Sequence, residues 1–153
     1  MTLGPFVFIG IGGSGGKTLR AIRQALGAKL DEIGWQDEWP HAWQFLHVDV
    51  PVEPDGVTID LPLTLPRKSY VSCTRAGSTF RTIEAVVGRS DVRDLEHYLA
   101  WDCWRPFPPE DVRVNITLGA GQFRAVGRVA LLGALTEVDQ RIRSALEAAA
   151  HPE

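Results

Sequence analysis

Phe6 to Ile9 are apolar without interruption, and the run stops at a glycine. Such a run predicts a strand covered on both faces, as in a parallel sheet. From Lys17 the period changes. Leu19, Ile22, Leu26, Leu30 and Ile33 recur at three- and four-residue steps, which predicts a helix over 17–33 with Arg20, Arg23, Gln24 and Lys29 on other faces. "QFLHV", residues 44–48, predicts a second strand running into Asp49. Four prolines in 50–66 predict an extended connection with a short edge strand at Val57 to Leu61. Residues 78–87 and 91–101 predict two helices separated by "GRS", the second with Val92, Leu95 and Leu99 along one side. "RPFPP" at 105–109 is a break. "VRVNITL", residues 112–118, alternates apolar and polar residues and predicts a third strand. A glycine-rich stretch follows, then one long helix to about Ala150. Its expected stripe is Val126, Val129, Leu135, Val138, Ile142 and Leu146. The order β-α-β, a mixed connection, then β-α argues for an α/β, Rossmann-like domain with a mostly parallel sheet and helices packed on it.

Length sharpens this picture only a little. The 153 residues suit a single domain, with 50–66 as a connection inside it. The formal net charge is -3, which gives no overall pull toward nucleic acid or anionic membranes, so an anion site must be local. Cys73 and Cys103 form no metal or redox motif, and reduced thiols are expected. The N-terminal apolar run is too short for a membrane span and lacks the basic flank of a signal peptide, so a soluble, cytoplasmic protein is expected.

The first glycine-rich stretch carries the most chemistry. Gly10-x-Gly12-x-x-Gly15 follows a predicted strand and precedes a predicted helix, the context a dinucleotide-type fingerprint requires. Glycines allow a tight turn and close approach of a ligand, and free N–H groups at the next helix start attract an anion. Gly13, Ser14 and Gly16 belong to the same stretch. Gly16-Lys17-Thr18 also matches the end of a Walker A motif. Its first glycine should fall on Ile11, however, and Gly10 is one residue too far. Lys17 could reach a phosphate or be a solvated residue of the first turn. Asp49 sits where a Rossmann dehydrogenase places a ribose-binding acid, but 34 residues after Gly15 rather than about 20, so a turn or cap role is equally open. At the second stretch, Gly119, Ala120, Gly121 and Gln122 follow the third predicted strand. Arg124 is placed to add charge-assisted hydrogen bonds, and Arg128 lies one turn further along.

Taken together, "FIGIGGSGGKTL", "FLHVDV" and "GAGQFRAVGRVA" resemble the tubulin superfamily, which includes FtsZ, and most of all the bacterial tubulin-like proteins. The resemblance touches roughly residues 5 to 50 and 112 to 150 and leaves 51–111 unread. It implies the N-terminal part of a GTPase-type nucleotide domain, with GTP or GDP as ligand and Mg²⁺ beside the phosphates. Gly10, Gly12, Gly13, Ser14, Gly15 and Gly16 would supply backbone N–H groups. Gly119, Ala120, Gly121 and Gln122 would approach the terminal phosphate. The family usually has Asn or Gln where Lys17 and Thr18 stand. Its signature loop G-G-G-T-G-[ST]-G is not among these residues. Neither is the acidic loop with which one subunit completes its neighbour's active site. The resemblance therefore implies hydrolysis, and assembly into an oligomer or filament, only through parts outside this chain. No general base, catalytic residue or metal ligand is assigned within it.

Two other classes remain open at this stage. An adenylating enzyme of the E1/ThiF type also carries G-x-G-G-x-G and an acid at the second strand's end, but its Asn-x-x-Arg-Gln run is absent. An NAD-type module is the simpler dinucleotide reading. A pure interaction module would keep the fold without a nucleotide. Trp35, Trp39, Trp43, Trp101 and Trp104 could then be partner contacts, although core or cover is the default for tryptophan.

Overall fold

The computed structural model describes residues 3–59, 61, 63–88 and 100–151. They belong to two compact units. The first comprises Met1–Val48, Asp55–Val71 and Glu137–Glu153, and the second Asp49–Pro54 and Ser72–Thr136.

In the first unit β1 (Phe6–Ile11) pairs in parallel with β2 (Trp43–Asp49), Phe6 opposite Trp43 and Ile11 opposite Val48. A three-residue strand, β3 (Tyr70–Ser72), completes the order β1-β2-β3. The middle strand is the covered one, with Phe45 to Val48 all buried. β1 departs from expectation. It is an edge of this sheet, and Phe6, Ile9 and Ile11 are exposed, because an edge strand has a neighbour on one side only.

Helix α1 (Gly12–Glu32) packs on β1 and starts well before Lys17, where the periodicity places it. Ile11 is still extended, Gly12 turns the corner at φ +71°, and the remaining glycines lie in the first turns. The helix stops at Gly34, again at φ +71°, whose N–H bonds the Asp31 carbonyl. Leu19 and Leu30 are buried as expected, but Ile33 is half exposed. Arg20 is the larger correction. It is only 4% exposed, its Nη1 donates to the Gly56 carbonyl at 2.8 Å, and its Nη2 has no hydrogen-bond partner among the described residues. A long aliphatic stem lets a helix side chain bury itself although its head is charged. Trp39 stands edge-on to Trp43 and Phe45, and Arg23 lies 4.6 Å above its ring. Burial pulls the Arg23 guanidinium below its ordinary range. These tryptophans are half-buried cover, not core.

The described part of 50–66 is irregular, as its prolines dictate. Among the described residues near Val57 there is no strand. Thr58 and Leu61 instead exchange backbone bonds at 3.2 Å, and Ile59 between them is 99% exposed.

In the second unit α2 (Phe80–Val87) begins at Thr79, which makes a reciprocal capping box with Thr82. It packs on α3 (Arg124–Gly133), so closely that a Cβ on Gly133 would stand 2.8 Å from Ile83 Cγ2. Phe80, Ile116, Val126, Val129 and Ala130 are the buried centre. Glu84 and Arg105 pair at 2.6 Å. The helix expected over 91–101 falls mainly outside the described residues. Trp101 begins a short helical turn, Trp101–Trp104.

Two expectations fail near the end of the chain. Residues 112–118 alternate in exposure but form no strand, and their last three make a 3-10 turn, Ile116–Leu118. A strand needs a neighbour to fill its ladder; here one backbone bond, Val52 N–H to the Thr117 carbonyl, stands in for it. The single long helix is two, because Ala134 leaves helical geometry between α3 and α4 (Leu135–Ala150). α4 buries Val138, Ala145 and Ala149, while Leu135 and Leu146 face out.

Candidate functional site

The first glycine-rich stretch is a close backbone crossing. A Cβ on Gly10 would lie 2.6 Å from the Gly15 carbonyl oxygen, and one on Gly15 would lie 2.8 Å from the Gly10 carbonyl carbon. These two glycines let the end of β1 touch the first turn of α1. Gly16 faces the His47 ring, where a Cβ would come within 2.3 Å of Cε1. Gly12 is different. It has open space around it, and it is glycine for its positive φ.

What this corner offers chemically is unclaimed N–H groups. No side chain caps the start of α1, and its first turn holds no acidic residue. The opening N–H groups of a helix need partners, and an anion meets both that need and the dipole. Ser14 is exposed, and its carbonyl accepts from Thr18 Oγ1 at 3.0 Å. Lys17 is exposed at the same end. Gly13 and Gly15 are half-buried in the turn. Asp49 ends β2, and its carboxylate accepts from the adjacent Val50 N–H at 2.7 Å.

The second stretch has its own geometry. Gly119, Gly121 and Gln122 all hold positive φ, at 134°, 60° and 67°. The turn leads to Phe123 and then α3, whose start also lacks a side-chain cap and an acidic residue in its first turn. Arg124 is the first residue of that helix and is exposed. A cation there opposes the helix dipole, which favours negative charge at this end. Ala120 is half-buried, and a Cβ on Gly127 would sit 3.5 Å from its methyl carbon. Arg128 is occupied, lying 3.9 Å over the Trp104 ring. Among the described residues no three His, Cys, Asp or Glu side chains are grouped to hold a metal.

The profile of the tubulin-like family matches residues 7–153, nearly the whole chain. The chain belongs to the tubulin-like family. The match spans the connection and helices at 51–111, which the motifs alone left unread. No curated protein and no solved structure matches the chain. The tubulin-like assignment agrees with the α/β architecture, a parallel β1–β2 pair with helices, and with the Rossmann-like expectation. Among the described residues no helix is long and apolar enough to cross a membrane.

Sequence reasoning missed His47, which shapes the first stretch, and the burial of Arg20 further along α1. His47 read as an ordinary strand residue, and Arg20 as one lying off the helix's apolar face. Only the register, which sets His47 opposite Gly10, reveals the first.

Proposed function

We propose that this tubulin-like chain binds a guanine nucleotide, GTP or GDP, through its phosphates. One observation carries the reading. α1 begins on a glycine at positive φ, Gly12, and α3 begins three residues after one, Gly121, and neither start has a side-chain cap or an acid in its first turn. Each also has a cation near its start, Lys17 and Arg124. Helix starts left bare in this way suit anions. In this reading Gly10, Gly12, Gly13, Ser14, Gly15 and Gly16 form the turn for the inner phosphates. Gly119, Ala120, Gly121, Gln122 and Arg124 serve the terminal one. Mg²⁺ would arrive with the nucleotide and be held largely by its phosphate oxygens. Asp49 stays a candidate for the sugar. The family supports guanine as the base and self-assembly as the cellular use, and a cytoplasmic location is part of the same proposal.

The test is the nucleotide content of gently purified protein, by mass and retention time. GDP or GTP is the expected result. ATP or AMP would point to adenylating chemistry, and NAD to a dinucleotide module. A protein that carries none, and takes up none when offered, would contradict nucleotide binding altogether.

A further inference from the structure

His47 lies on β2 opposite Gly10, and its ring is buried. Three contacts fix that ring. It stands edge-on to Tyr70, with centroids 5.1 Å apart. It fills the space where residue 16 would carry a side chain, since an ideal Cβ there would lie 2.3–2.8 Å from three ring atoms. Its Nε2 is 3.1 Å from the Gly12 carbonyl oxygen. A carbonyl can only accept, so Nε2 carries the proton in this contact.

The last contact has a geometric consequence. The Gly12–Gly13 peptide is trans, and in a trans peptide the C=O and the next N–H point in opposite directions. A Gly12 carbonyl held toward the buried His47 ring turns the Gly13 N–H away from it. This peptide lies in the first turn of α1, and with no Cβ on either flanking residue it is the part of that turn that the helix restrains least. A donor fixed in this orientation before the ligand arrives spares the ordering cost on binding.

We propose that His47 is a positioning residue of the phosphate turn. It holds the Gly12–Gly13 peptide with the Gly13 N–H presented to a phosphate, and it makes residue 16 a position only glycine can fill. His47 does not itself touch the phosphate. This inference rests on the nucleotide reading and deepens it, and the experiment separates the two.

The 153-residue chain is titrated with GDP by calorimetry as wild type, His47→Leu and His47→Gln. Leucine fills the space without a donor, and glutamine can return an N–H near the position of Nε2. Loss of one neutral hydrogen bond predicts roughly three- to tenfold weaker GDP binding for the leucine variant. The glutamine variant should stay within about twofold of wild type, although both replace the same ring. Wild-type affinity in His47→Leu would overturn the proposal, as would equal losses in the two variants. If the wild type binds no GDP, the nucleotide reading fails, and the ¹⁵N-labelled protein decides the inference instead. The Gly13 amide peak should move and its hydrogen exchange should quicken in His47→Leu; an unchanged amide would overturn the positioning role. Should His47→Leu not fold, the size-matched pair remains. Gly16→Ala should destabilise the chain strongly, and Gly16→Ala with His47→Ala should regain much of that loss. Simple addition of the two single losses would show that the contact is not made.

Discussion

At Gly10, Gly15 and Gly16 glycine is demanded by what lies beside it, and at Gly119 and Gly121, as at Gly12, by the backbone dihedrals themselves. Gly10, Gly15 and Gly16 have neighbours within 2.8 Å of where a Cβ would stand, and none of the three has positive φ. Gly119 and Gly121 have positive φ, and the nearest atoms to their would-be Cβ positions are 3.8 and 3.3 Å away. The first stretch is a packed crossing of strand and helix. The second is a bent turn less closely packed than the first, and Gln122 in it also adopts a positive φ. A glycine-rich motif is therefore not one physical object. A packed crossing fixes donors rigidly, whereas an open turn leaves a cation such as Arg124 exposed and able to adjust.

That difference ranks the expected effects of substitution. Gly10→Ala should be the most damaging, since the obstacle is the Gly15 backbone and cannot rotate away. Overpacking of this kind costs about 3 kcal/mol or more when backbone must shift. Urea unfolding should show it, and a loss below about 1 kcal/mol would mean the crossing is looser than described. Gly121→Ala should cost about 1–2 kcal/mol, from a strained φ plus mild pressure on Val114 Cγ1 at 3.3 Å. A loss as large as that of Gly10→Ala would erase the distinction between the two stretches. Gln122→Gly should change stability least, within about 0.5 kcal/mol, because relief of strain at φ 67° is offset by a freer unfolded chain. Clear destabilisation by this change would show that the glutamine side chain holds the turn.

The parts of this fold that were legible in the sequence are those where pattern and environment coincide. β2 is buried from Phe45 to Val48 and was read from its cluster Phe45, Leu46 and Val48, while α1 shows its period through Leu19 and Leu30. The failures have distinct causes. β3 is three residues long, too short for any period to show. Residues 112–118 alternate as a strand would, yet alternation reports which side chains turn inward and not whether a neighbouring strand exists. The break at Ala134 has no proline to announce it; Gly133, pressed against Ile83, was the only trace. Arg20 was set off the apolar stripe by its charge, yet its long stem lets it bury. The glycines of both stretches were visible at once. Their two different reasons appear only when the neighbours of each position are known.

The proposed division of labour between the stretches is tested most directly at Arg124, which is exposed, so that its loss should leave the fold intact. Wild type and Arg124→Ala are titrated by calorimetry with GDP and with a non-hydrolysable GTP analogue. A hydrogen bond to a charged group contributes about 1.5–3 kcal/mol, or roughly 10- to 150-fold in affinity. The account predicts a loss of that size for the GTP analogue and less than about threefold for GDP. Equal losses for both ligands, or none for either, would contradict it.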